Sequence, residues 1–256
     1  MEPRREAWRG VGAGTAAGER YGHGVQPTHR HRDVQGGAAR AAVFGVSDGL
    51  VSNMGLILGV AGASPAPGVV RLAGLAGLIA GAISMAAGEY NSMKVQAELL
   101  DRELRVEARE LARHPEYEIA ELAEAYEARG LSPEQARAMS ETIMRDPEAA
   151  LDVHAREELG IDPQNLGSPW AAAWSSFVCF SGGALVPLVP WFVSEGAAAT
   201  VWSLGLGVLA AIAVGLVIGR TTARSLPRAV VRQVLFTVVP AGLTYAIGAA
   251  LGVGVS

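Results

Sequence analysis

The sequence predicts an all-α fold, a five-span transmembrane helical bundle with an acidic helical insert between spans two and three. Three observations carry that expectation. Hydrophobic residues make up 50% of the 256 positions and charged residues only 18%. The apolar residues collect in five long blocks. Of the 25 acidic residues, 18 fall between Lys94 and Asp162, in a single gap between two of those blocks. A chain so apolar and so poor in charge is not an ordinary soluble domain.

Residues 1–36 are rich in Gly, Ala and Arg without periodicity and are expected to form a disordered basic tail. No apolar stretch follows Met1, so a secretory signal peptide is not expected. His23, His29 and His31 could bind metal, but spaced histidines on a polar tail are expected to belong to a solvated arm.

Residues 37–92 hold the first two apolar blocks, about 41–63 and 72–90, and residues 169–256 hold three more, about 170–193, 197–219 and 229–253. Each is close to the ~20 residues that cross a ~30 Å hydrocarbon core as a helix. Gly74, Gly77, Gly81 and Gly88 weaken helix propensity in the second block. Small residues three or four apart are also how membrane helices pack closely, so the block stays a span. Gly45, Gly49, Gly55 and Gly59 make the same case for the first. Pro187 and Pro190 in the third span and Pro240 in the fifth predict kinks or hinges whose freed carbonyls need partners inside the bundle.

Residues 93–168 form the insert. Positions 92–113 are expected to continue the second span into water. A helix over about 115–129 ends at Gly130, and Ser132 followed by Pro133 opens another. Asp146-Pro147 breaks that one before a last helix ending at Gly160.

Basic residues set the topology. Twenty of the 21 Lys and Arg lie before span one, between spans two and three, or around the connection of spans four and five; only Arg71 lies on the other side. By the positive-inside rule the N-terminus and the insert are cytoplasmic and the C-terminus lies across the membrane. The expected location is a multi-pass protein of a plasma or vacuole-type membrane.

Asp48 and Glu89 sit inside apolar runs, where a carboxylate needs a partner, a water-filled cavity or a cation. Met85, four residues before Glu89, shares its helix face; Ser52, Asn53 and Met54 follow Asp48. Carboxylate oxygen with thioether sulfur suits a first-row transition metal better than Ca²⁺ or Mg²⁺. In the insert, Glu103, Glu107 and Glu110, then Glu118, Glu121 and Glu124, recur at helical spacing and form acidic stripes. A stripe of this kind is ordinarily a solvated face, balanced here by Arg102, Arg105, Arg109 and Arg113. Two facing stripes would instead bind divalent cations. Spacing does not choose between these.

Cys179 is the only cysteine and is expected to be a packing residue, with no intrachain disulfide. No resident cofactor and no nucleic-acid partner are expected, and neither is an enzyme. A di-iron oxidase bundle uses Glu-x-x-His pairs, and Leu111 and Leu151 stand three residues before His114 and His154.

The segments RAAVFGVSDGLVSNMGLILGVAGA, GAISMAAGEYNSMK, HAREELGI and LTYAIGAALG together resemble the vacuolar iron transporter family, from about His29 to the C-terminus. The resemblance implies a homodimer of five-span subunits that exports Fe²⁺ or Mn²⁺ from the cytosol in exchange for protons, in iron and manganese homeostasis. It implies a membrane path through Asp48 and Met85, with Glu89 a further candidate. It also implies insert ligands at Glu107, Glu110, Glu118, Glu121 and Glu158. Where the family carries a Met-Glu pair before the last of these, this chain has His154 and Ala155. That exchange removes a carboxylate and replaces a thioether with an imidazole, so a weaker or differently selective insert site is expected. The competing expectation is a membrane-anchored metal sensor or store that binds without transport.

Overall fold

The computed structural model describes residues 37–63, 66–158, 160, 162–163, 167–222 and 225–252. The expected basic tail, with His23, His29 and His31, lies outside them. The described residues are helical throughout their regular elements, in the order α1 (Ala38–Ala63), α2 (Pro67–Arg113), α3 (Pro115–Glu127), α4 (Pro133–Ile143), α5 (Pro147–Glu157), α6 (Pro169–Leu188), α7 (Pro190–Val193), α8 (Gly196–Thr221) and α9 (Leu226–Gly252). Five of these, α1, α2, α6, α8 and α9, are long and apolar enough to cross a membrane.

Helix α1 lies at the centre, packed along α6 on one side and α9 on the other. Its glycines make the approach possible. A Cβ on Gly49 would overlap the Phe180 carbonyl, and one on Gly183 would overlap the Val46 carbonyl, so α1 and α6 meet backbone to backbone. At the other end Gly248 meets the Gly59 carbonyl and Gly252 the Ala63 carbonyl, which seats α9 in the same way. Apolar tails of lipid give helices no hydrophobic drive to associate, so close van der Waals contact between small residues holds such a bundle. Polar contacts add to it: Asn53 Nδ2 donates to the Ala184 carbonyl (2.8 Å), and Thr244 Oγ1 to the Gly55 carbonyl (2.7 Å).

The apolar block at 170–193, expected as a single span, is α6 followed by the short α7. Pro187 stays within α6, whereas the helix gives way at Val189, before Pro190. The Pro187 carbonyl accepts a hydrogen bond from Ser203 Oγ of α8 (2.6 Å), a polar contact that ties α6 to α8.

Helix α2 has 47 residues and no break. At 1.5 Å per residue it is about 70 Å long, more than twice a bilayer core. Positions 92 and 93, where the sequence suggests a division between membrane and insert, therefore fall within one rod. Beyond it the insert turns through short capped helices. His114 ends α2 and Pro115 starts α3; Gly130, with φ 102°, turns the chain out of α3. Ser132 and Gln135 cap α4 reciprocally, and Asp146 Oδ1 accepts from the Glu148 and Ala149 amides at the start of α5. Leu122, Ala123, Tyr126 and Ala136 form the small apolar core that holds α3 against α4, with Val153 of α5 packed on it.

Candidate metal centre

Three helices converge in the insert. The outer end of α2 brings Glu107, α3 brings Glu118, and α5 brings His154 and, at its C-cap, Glu158. One ligand atom from each of these four residues lies within 4.8 Å of the other three. His154 is the pivot. Its Nδ1 is 2.8 Å from Glu158 Oε1, 3.4 Å from Glu107 Oε1 and 3.5 Å from Glu118 Oε2. The imidazole is wholly buried, with side-chain exposures of 12% for Glu107 and 7% for Glu118.

The turn at His114–Pro115 folds α3 back beside the end of α2, so Glu107 and Glu118 face each other although each sits on an acidic stripe. Glu110 and Glu121, one turn along, line the same cleft of ≈ 450 Å³ together with His114 and Tyr117 but stay outside the inner group of four. Glu103 and Glu124 are exposed and do not line it.

Charge is crowded here. Burial pushes the carboxyls of Glu107, Glu118 and Glu158 above their ordinary range. Neighbouring carboxylates add to the rise: Glu158, Glu121 and Glu110 for Glu107; Glu107, Glu158 and Glu121 for Glu118; Glu121 for Glu158. His154 opposes it at Glu107 and Glu118. Glu107 Oε1 and His154 Nε2 are buried without a hydrogen-bond partner. A group of oxygen and nitrogen donors with unmet capacity and mutual repulsion is suited to a divalent first-row cation, which would turn that repulsion into coordination.

The membrane candidates are arranged differently. Asp48 is half-buried on α1, where Ser52 Oγ donates to its backbone carbonyl (2.6 Å) and Gln233 of α9 donates to neighbouring Ser47 (2.7 Å). Met85 on α2 packs on the cluster of Ala82, Phe180 and Ala184. Glu89 meets Arg40 of α1, whose Nη2 lies 3.1 Å from its Oε2. Among the described residues, the insert group is the one place where three or more His, Cys, Asp or Glu side chains stand within ligand distance. Sequence reasoning used Arg40 only as a topology charge and missed it as the partner of Glu89; the two are 49 positions apart, and no local pattern links them. Asn53, named beside Asp48 from the sequence, faces the neighbouring helices. Its Oδ1 is buried without a partner, facing α2 at Gly77.

A family model described as the VIT family matches residues 39–249. Vacuolar iron transporter 1 of Oryza sativa subsp. japonica is 34% identical over 198 residues, covering 76% of this chain and 79% of that protein. Vacuolar iron transporter 1 of Eucalyptus grandis is 34% identical over 188 residues, covering 73% and 76%. The vacuolar iron transporter of Acanthamoeba castellanii is 38% identical over 162 residues, covering 62% and 58%.

Proposed function

The chain belongs to the VIT family, and from that membership we propose that it carries Fe²⁺ or Mn²⁺ out of the cytosol in exchange for protons. It is an integral membrane metal transporter and not an enzyme, as its relatives' names indicate. The iron in those names motivates Fe²⁺ as the first cargo, and the donor chemistry admits Mn²⁺ equally.

The observation that carries the proposal is the insert group itself: Glu107, Glu118, His154 and Glu158 with ligand atoms within 4.8 Å of one another. In this account the insert faces the cytosol, as the distribution of Lys and Arg suggests. The inner four collect the cation, with Glu110 and Glu121 at the rim of the cleft drawing it in. Asp48 and Met85 then take it across the bilayer. Glu89, neutralised by Arg40, acts at the entrance rather than as a ligand. A ligand carboxylate must be deprotonated to coordinate, so protonation of Asp48 from an acidic far side releases the metal and couples its movement to a proton gradient. The functional unit in this account is a homodimer in a vacuole-type or plasma membrane.

Flux into proteoliposomes tests this directly. Fe²⁺, Mn²⁺, Zn²⁺ and Ca²⁺ are offered with and without an imposed pH difference, to the full chain and to Asp48→Ala. Uptake of Fe²⁺ or Mn²⁺ that needs the pH difference and is lost in Asp48→Ala supports the mechanism; wild-type flux in that variant overturns it. Metal binding by the full chain with no flux in any vesicle would favour the sensor or store.

A further inference from the structure

From Gly196 to Ser256 the chain carries four arginines and not one Asp or Glu. In the preceding part of the chain carboxylates are at hand for cations, and several are paired: Arg40 with Glu89, Lys94 with Glu98, Arg129 with Glu157, Arg137 with Glu116 and Glu141, and Arg156 with Asp152. Among the described residues, Arg228 and Arg232 have no ion-pair partner at all.

These two arginines lie one turn apart on α9 and share a face. The opposite face of the helix is the buried one, made of Ala229, Gln233, Thr237 and Ala241. On the outer face Arg228 and Arg232 border a groove of ≈ 410 Å³ completed by Pro227, Val231, Leu235 and Phe236. Val231, Leu235 and Phe236 are each more than half exposed. Two unpaired guanidinium groups thus stand at one end of a groove whose other end is purely apolar, with about 12 Å of helix from Arg228 to Phe236. The helix is a span of the bundle, so its outer face meets lipid, and the arginine end lies where the span leaves the apolar core.

We propose that this face of α9 is a binding site for an anionic phospholipid. The Arg228 and Arg232 guanidiniums hold the phosphodiester through charge-assisted hydrogen bonds, and an acyl chain lies along Val231, Leu235 and Phe236. Topology preferences explain why the charges at this end of the helix are positive. They do not explain why two such arginines share one face of a span and border an apolar groove. A lipid with a net negative head supplies the missing anion and fills the groove; a zwitterionic lipid brings its own cation to the arginines and gains less. The occupant is a membrane lipid rather than a soluble phosphate because the groove is empty of polar lining beyond the arginines.

Native mass spectrometry of the full chain in a neutral detergent tests the site, titrated with dioleoyl phosphatidylglycerol, dioleoyl phosphatidylcholine or glycerol 3-phosphate. The expected result is a preference of roughly tenfold or more for phosphatidylglycerol over phosphatidylcholine. Arg228→Gln with Arg232→Gln abolishes the preference, Arg228→Lys with Arg232→Lys keeps most of it, and Leu235→Ala with Phe236→Ala weakens both lipids. Arg71→Gln, a control at the opposite membrane side and outside this groove, leaves the preference intact. Size exclusion and a melting curve confirm that each variant is folded. Equal binding of the two lipids by the unaltered chain overturns the proposal, as does a preference that survives in the double Gln variant. Glycerol 3-phosphate binding as tightly as the lipid, or loss of the preference in Arg71→Gln, overturns it equally.

Discussion

Arg40 and Glu89 join the first turn of α1 to the end of the apolar stretch of α2 through a 3.1 Å contact, with the arginine side chain 65% exposed and the carboxylate only 11%. The asymmetry predicts unequal mutations. Arg40→Ala leaves a largely buried charge without its partner and is expected to cost about 1–3 kcal/mol, between the values for exposed and buried pairs. Glu89→Gln leaves only an exposed arginine and costs less. The double variant recovers part of the Arg40→Ala loss. Melting temperatures of the four proteins in detergent form the cycle, and additive losses would mean that the contact contributes nothing.

His154 is expected to govern metal affinity in the insert. His154→Leu removes the nitrogen donor and is predicted to weaken Mn²⁺ binding by roughly tenfold or more, as loss of supporting groups at metal sites does. His154→Met restores a donor but a softer one, and should shift preference away from Mn²⁺. Titration calorimetry of the full chain with Mn²⁺ and Co²⁺ measures both effects. Unchanged affinity in His154→Leu would remove the imidazole from the site.

Acidity should act on the same group with a definite sign. The carboxyls of Glu107, Glu118 and Glu158 are raised in the folded chain, first by burial. Raised carboxyls favour the folded state while protonated, so their contribution is complete below the ordinary glutamate range and is lost as pH rises through the raised values. Without metal, the melting temperature of the insert is therefore expected to fall as pH climbs from about 4.5 towards neutrality. Metal needs the ionised forms, so stabilisation by added Mn²⁺ should grow over that same interval. Melting curves with and without Mn²⁺ at several pH values check this, and a larger metal effect at the acidic end would contradict it.

Glycines should divide into two classes. A Cβ on Gly49 has no room against Phe180, so Gly49→Ala is expected to destabilise the bundle by about 1–3 kcal/mol or prevent its assembly. Gly205 has nothing within 4 Å of the same position, and Gly205→Ala should be neutral or mildly stabilising through helix propensity. Thermal stability in detergent separates them, and equal behaviour would deny the close α1–α6 approach.

Local signals in the sequence were strong where chain geometry is local. Ser132 before Pro133 and Asp146 before Pro147 mark the helix starts that the structure has, because capping depends on neighbours in the chain. The five long helices follow from length and apolarity alone. Burial was not legible. Glu107 and Glu110 share one stripe and Glu118 and Glu121 another, yet in each pair only the first reaches the inner group, since the fold of α3 back onto α2 decides which carboxylate turns inward. The pairing of Arg40 with Glu89, and the placing of Pro190 rather than Pro187 at the helix break, depend on packing between distant segments that spacing does not encode.

The unbroken length of α2 makes one lever of two places. Met85 and Glu107 ride the same rod, 22 residues or about 33 Å apart. A tilt of only about 5° pivoting at Met85 would swing Glu107 by about 3 Å, comparable with the gaps between it and its neighbouring ligand atoms. Helix α2 itself has no break at which its bilayer end could shift while its insert end stays still. A rearrangement at Met85 would therefore be expected to displace Glu107 as well, and a bend engineered into α2 between them should uncouple the two.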